Sequence, residues 1–447
     1  MTKPEPGANV VAVEMGMGHL RAAYPLRHLS VDGVLIYGSK ASAPASEYKI
    51  WRKILNSYYF FSRAGKIPLI GKFLVRFLEW MERIEPYYPR RDCSRPNFAV
   101  KYLDGLIERR GLCGALIARI HANNLPVIHT YFATAIATDR FLDKEHRNYL
   151  VICDSDFNRV WVPKNPLSSN LRYIAPCAQV KRRLLSYGVR EEKIFLTGFP
   201  LPRENIGTET GLELLKKDLF DRLMRLDPSE RFFQLHRKSV MHWLAPSDTP
   251  PKHDDCFTVT FAIGGAGAQT EIALAIMQSL GRPISEKRVR LIVSAGTNKG
   301  VFEAITRQAE RLNLPHGAGK GLAIVHDAAP FLFLDKFNSV LRTTDVLWTK
   351  PSELVFYSGL GLPILMAPPI GAHEELNSRW LNEVQAGVSM PGPAEYCGEW
   401  LFDLHESGKL ADAAWAGFLN VRKLGAFKIE RLIGQGMFDA GSSPLER

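Results

Sequence analysis

A chain of 447 residues, 46% hydrophobic and 23% charged, has the make-up of an ordinary globular protein and is long enough for two domains with sizeable cores. Its formal charge of +11 calls for an anionic partner, and no Lys/Arg tract or paired zinc spacing favours nucleic acid over a phosphorylated substrate or an acidic lipid surface. Six cysteines without a CxxC spacing fit reduced cytosolic thiols better than disulfides or a metal site, and with no signal-peptide layout or membrane-length apolar run the chain is expected to be cytoplasmic, with at most peripheral membrane contact.

The apolar run Val10 to Val13 breaks into Glu14-Met15-Gly16-Met17-Gly18-His19 and then a helix-like LRAAYPLRHL. A buried strand running into a glycine-bearing turn and a helix is how nucleotide-binding α/β domains begin. At the tip of such a turn His19 reads either as a general base or as a local helix cap. From Tyr48 to Tyr88, aromatic and aliphatic residues alternate with Lys and Arg at helical spacing. These amphipathic pieces read equally as core helices with a basic face or as helices lying in a lipid interface.

Leu116 to Ile120 and Leu125 to His129 are the next candidate elements, and Leu171 to Pro200 supplies strand, helix, Gly188, strand and Thr197-Gly198. A first domain, residues 1–200, is expected to end there. Residues 201–255 are polar and charged and read as an insertion and linker. A second domain, 256–400, opens with the strand Phe257 to Ile263 and the loop Gly264-Gly265-Ala266-Gly267-Ala268-Gln269-Thr270. Small residues let backbone amides approach an oxyanion, so this loop reads as a phosphate cradle or a tight structural turn.

Strands over Val289 to Val293 and Leu322 to Val325 follow, the first ending in Ser294-Ala295-Gly296-Thr297-Asn298-Lys299. Then comes DVLWTKPSELVFYSGLGLPILMAPPIGAHEELN, Asp345 to Asn377, predicted as strand, helix, strand and polar loop. Pro351, Ser352 and Glu353 mark a helix N-terminus that attracts anions, and the loop offers His373, Glu374, Glu375 and Asn377 as groups that grip hydroxyls. A structural helix with a solvated acidic loop is the alternative. Residues 401–447 read as C-terminal helices.

The order of these motifs resembles the GT-B glycosyltransferases, in particular the branch with monogalactosyl- and glucosyl-diacylglycerol synthases and the lipid-linked N-acetylglucosaminyltransferase of peptidoglycan synthesis. GMGH at Gly16 to His19 looks like the family's glycine-glycine-histidine loop, and SYGVREEKIFLTGFP like the strand ending its N-terminal domain. IGGAGAQ, SAGTNK and TKPSELVFYSGLGLPILMAPPIGAHEELN are similar to its phosphate loop, its Asn-Lys segment and its donor site.

The resemblance implies an α/β protein of two Rossmann-like domains with parallel sheets facing across a cleft. It implies hexose transfer from a UDP-sugar, as co-substrate and without a metal, to a lipid or other hydroxyl acceptor at an anionic membrane surface. His19 corresponds to the acceptor-deprotonating residue, with Gly16 and Gly18 forming the acceptor loop. Gly264, Gly265 and Gly267 face the diphosphate, with Asn298, Ser352 and Glu353 beside the donor and His373, Glu374, Glu375 and Asn377 toward its hexose. The Tyr48 to Tyr88 segment falls where the family docks lipid and membrane. When the GLP at 361–363 is aligned, the family's ribose-binding Glu falls on Phe356 and Glu353 stands one turn earlier. The insertion at 201–255 also departs from the pattern. A nucleotide-sugar epimerase or hydrolase, or a non-catalytic binding protein of this fold, are the other readings.

Overall fold

The computed structural model describes residues 7–37, 47–53, 84–245, 256–264, 267, 269–317 and 319–447. The chain forms two compact units, one of Met1–Pro200 with Leu424–Gly441, the other of Leu201–Lys423 with Ser442–Glu446. Most of the Tyr48 to Tyr88 segment lies outside the described residues, which include 47–53 and 84–88 at its ends.

In the first unit six strands form one parallel sheet in the order β2-β1-β3-β4-β5-β6. They are β1 (Asn9–Val13), β2 (Leu35–Tyr37), β3 (Val127–His129), β4 (Asn148–Val151), β5 (Arg172–Ile174) and β6 (Ile194–Phe195). β1 is buried along its whole length because helices cover both faces of a parallel sheet, which is why Val10 to Val13 reads as an unbroken apolar run. Leu116 to Ile120 belongs to the helix Gly114–Asn123, where Leu116 and Ile120, one turn apart, both point into the core. The tail helix Gly425–Gln435 belongs to this unit, tied by Arg147 Nη1 donating to the Ile433 carbonyl at 2.8 Å and by Glu430 3.2 Å from His28.

In the second unit a six-stranded parallel sheet runs β12-β11-β10-β7-β8-β9. Its strands are β7 (Phe257–Ala262), β8 (Val289–Gly296), β9 (Leu322–His326), β10 (Val346–Thr349), β11 (Ile364–Met366) and β12 (Gly387–Ser389). The stretch expected to be an insertion and linker is part of this unit. Its helices Glu213–Leu226 and Arg231–Leu244 pack through Leu215, Leu219, Leu223, Phe232 and Leu244.

Both sheets have a topological switch point. From β1 the chain goes to β2 on one side and then to β3 on the other; from β7 it goes to β8 and β9, then crosses to β10. In open α/β sheets the loops that diverge at such a point leave a crevice at the strands' carboxyl ends, where ligands bind. The relevant loops are those after β1 and β3 in one unit and after β7 and β10 in the other. Among the described residues no helix is long and apolar enough to cross a membrane.

Candidate active site

The loop after β1 turns at Gly16, whose φ of 78° is in the left-handed range open to glycine, and enters the helix Met17–Ala23 with Gly18 and His19 in its first turn. His19 Nδ1 lies 2.6 Å from the carbonyl oxygen of Thr130, in the loop after β3. A carbonyl can only accept, so Nδ1 carries the proton and Nε2 is the basic nitrogen. The ring is half-buried, edge-on to Tyr131 at 5.1 Å between centroids and 6.2 Å from Trp161, with Cys153 Sγ 3.7 Å from Nδ1. The first switch point therefore holds an imidazole of fixed tautomer and orientation.

At the second switch point, β7 is followed by Ile263 and Gly264. The Gly267 N–H donates to the Gly264 carbonyl at 2.8 Å, Gly267 has φ 74°, and the helix Thr270–Ser285 begins three residues later. A Cβ on Gly267 would lie 3.1 Å from Val301 Cγ2 and 3.4 Å from Asn298 Nδ2, so the loop's backbone runs close against the start of the helix Lys299–Arg311 that follows β8. Gly265 lies outside the described residues. Gln269 has φ 69°, a left-handed conformation that costs a non-glycine residue on the order of 1 kcal/mol. Its Nε2 donates to the Pro368 carbonyl at 2.8 Å, while its Oε1 is buried without a protein partner among the described residues. Both features sit at the carboxyl edge of the sheet, beside the glycine loop.

Across the switch point, Lys350 leaves β10 and lies against the glycine loop, its Cε 3.0 Å from where a Gly264 Cβ would be. Its ammonium pairs with Glu374, which is 2% exposed. The other oxygen of Glu374 accepts the Ile370 N–H at 2.7 Å, so both carboxylate oxygens are engaged inside the protein. Asn298 accepts the Val301 N–H at 3.2 Å and caps the helix Lys299–Arg311.

Several expected features differ. The HEELN segment is the start of the helix Ala372–Glu383, because Gly371 in extended conformation forms its N-cap and the following residues are good helix formers. Within it Asn377 is buried and donates from Nδ2 to the Pro351 carbonyl at 3.1 Å, Glu375 is solvent-exposed and 3.9 Å from Arg379, and His373 is 3.8 Å from Glu374. Glu374 and Asn377 thus tie this helix to the Lys350-Pro351 turn. The element after Ser352 is a 3₁₀ helix, Glu353–Leu360, buried from Leu354 to Leu360, and Ser352 makes no side-chain cap bond. Ser352 and Glu353 are half-exposed beside Lys350 in sequence. Phe356 is fully buried, 5.0 Å from the Trp380 ring, so the side chain at the position aligned with the family's ribose-binding Glu is a core residue.

The structure thus brings Gly264, Gly267, Asn298, Lys350 and Glu374 to the carboxyl edge of one sheet, and Gly16, Gly18 and His19 to that of the other. Lys350 and Gln269 are the residues that sequence reasoning passed over. A lysine directly after an apolar strand and before a proline turn was the available signal for the first.

No family model and no curated protein sequence matches the chain. Among solved structures it is similar to S. aureus MnaA solved with UDP, at 12% identity and TM-score 0.50, over 96% of each chain. It is also similar to UDP-GlcNAc 2-epimerase from Neisseria meningitidis bound to UDP-GlcNAc, at 11% identity and TM-score 0.45, over 96% of this chain and 99% of that one. A UDP-glucosyltransferase from Polygonum tinctorium matches at 13% identity and TM-score 0.45, over 97% and 99%. Likeness at these identities concerns the fold. With two six-stranded parallel sheets, each carrying a switch point, the chain has the GT-B architecture of two Rossmann-like units.

Proposed function

We propose that this protein is a UDP-sugar-dependent glycosyltransferase that moves a hexose to a lipid or other hydroxyl acceptor at the cytoplasmic face of a membrane. The observation that carries the reading is His19 at the first switch point, with Nδ1 hydrogen-bonded to the Thr130 carbonyl so that Nε2 is the basic nitrogen. In the reaction Nε2 takes the proton of the acceptor hydroxyl while that oxygen bonds to the anomeric carbon. The bond from that carbon to the diphosphate breaks, and the diphosphate leaves with the electron pair. Charge growing on it is met by the N-terminus of the helix Thr270–Ser285 and by Lys350. Protein groups then do the work that a metal ion does in other sugar transferases, and the UDP-sugar is a co-substrate. Glu353 and Gln269 Oε1 are the acceptors offered to ribose or hexose hydroxyls.

UDP release measured with UDP-glucose, UDP-galactose and UDP-N-acetylglucosamine, with and without diacylglycerol vesicles, tests this. Acceptor-dependent release that collapses in His19→Ala, while calorimetry gives nearly unchanged UDP affinity, is the expected result. Unchanged turnover in that variant removes His19 from the chemistry. A rival reading, an epimerase or hydrolase on the same fold, shares the nucleotide half of the site and takes its support from the UDP named with the similar S. aureus structure. It predicts an epimerised or free sugar without any acceptor. Absence of binding by every nucleotide sugar points to a non-catalytic protein.

A further inference from the structure

The helix Arg231–Leu244 reads RFFQLHRKSVMHWL and contains no carboxylate. Its inner side is firmly anchored. Asp227 accepts the Phe232 and Phe233 N–H groups at 3.0 and 2.9 Å, and Phe232, Phe233, Val240 and Leu244 are buried, with the Phe232 ring 6.4 Å from that of Trp415. His236 is turned to the side, stacked on Phe232 at 4.8 Å and 3.6 Å from Asp412.

The outer side is one stripe. Arg231, Gln234, Leu235, Lys238, Met241 and His242 recur at the spacing of three and four residues that lines up on a helix, and all six are exposed. Leu235 is 81% and Met241 50% exposed, so apolar side chains stand in water between cations, and Arg237 flanks them. The stripe measures about 21 Å by 10 Å, on the order of 200 Å², against about 800 Å² per partner in a stable protein interface. An anionic bilayer has no such minimum area, takes up isolated Leu and Met side chains at its headgroup boundary, and attracts each Lys and Arg separately.

From these residues we propose that the outward face of the helix Arg231–Leu244 docks the protein on an anionic membrane surface. Lys238 and Arg231 sit among acidic headgroups, and Leu235 and Met241 enter the acyl boundary. The inference stands apart from the transfer reading, because docking is measured without turnover.

Sedimentation of the full chain with vesicles at low ionic strength tests it. The protein is expected to pellet with phosphatidylcholine mixed with phosphatidylglycerol, and not with phosphatidylcholine alone. Arg231→Gln combined with Lys238→Gln should lower the partition coefficient about thirtyfold, about fivefold per cation removed. Leu235→Ser should lower it about tenfold with both charges in place. Both sites are exposed, so unchanged thermal melting is the check that the fold is intact. Failure of the wild type to pellet overturns the proposal, as does pelleting that neither variant weakens. If Leu235→Ser instead breaks up a self-associated species in size-exclusion chromatography without changing pelleting, the stripe is a protein contact and the proposal falls.

Discussion

Arg222 is 2% exposed, and its guanidinium donates to four backbone carbonyls: Nε to Thr344 at 2.7 Å, Nη1 to Leu360 at 3.0 Å and Gly361 at 3.1 Å, and Nη2 to Leu341 at 3.3 Å. Leu341 closes the helix Pro330–Leu341, Thr344 stands just before β10, and Leu360 closes the 3₁₀ helix, so a single side chain holds both ends of the segment bearing Lys350, Ser352 and Glu353. Carbonyls at helix ends carry partial negative charge, which a planar cation with five donors matches. Burial pulls the Arg222 pKa down to about 10, with Asp345 and Asp218 acting to raise it, so the group is still charged at neutral pH.

Arg222→Met keeps the stem and removes every donor. Each buried carbonyl left unpaired costs about 1–3 kcal/mol, and release of the guanidinium's own desolvation cost returns part of the sum. A net loss of about 3 kcal/mol follows, equal to a urea midpoint lower by about 1–1.5 M at an m-value of about 2–3 kcal/mol/M. Tryptophan fluorescence suits the measurement, since Trp243, Trp348, Trp380, Trp400 and Trp415 all lie in Leu201–Lys423. Exposed Met224→Ala on the same helix is the control. A midpoint for Arg222→Met indistinguishable from that control would refute the assignment of the guanidinium as a clamp on this segment.

Glu374→Leu leaves Lys350 without its buried partner and should destabilise the second unit by about 3 kcal/mol, whereas Lys350→Met together with Glu374→Leu recovers most of that loss; urea denaturation of the four members of the cycle measures the coupling. Gly267→Ala forces a side chain into the left-handed range with contacts at 3.1 and 3.4 Å, and should cost about 1–3 kcal/mol of stability and weaken UDP binding, read by melting and calorimetry. His129 is fully buried among Thr134, Thr138 and Asn148, and burial depresses its pKa to about 3. The unfolded chain binds this proton from about pH 6.5 downward while the folded chain does not, so His129 contributes about 1.4 kcal/mol of lost stability for each pH unit between 6.5 and 3. His129→Gln should flatten the dependence of the urea midpoint on pH over that window by the same amount per unit, and an unaltered slope would exclude His129 as its source.

Local sequence was enough to place most of the strands and the turns that end them, though not the short β2, β4 and β12. Runs such as Val10 to Val13 and Ile364 to Met366 are apolar without alternation because both faces of a parallel sheet are covered, and Gly16 and Gly267 stand where the backbone takes positive φ. From those features the α/β class, the glycine loops and His19 could all be read. Strand order, however, is a property of the whole sheet. Only once β10 lies beside β7 does Lys350 meet Gly264 and Glu374, residues 86 and 24 positions away along the chain, and only then are Glu374 and Asn377 seen to be spent on internal ties. Arg222 likewise reads as one charge among many in a polar stretch, because the carbonyls it holds are more than a hundred residues distant. Periodicity and glycine placement act over one or two turns of chain, whereas the pairing of buried charges depends on which strand ends the fold sets side by side.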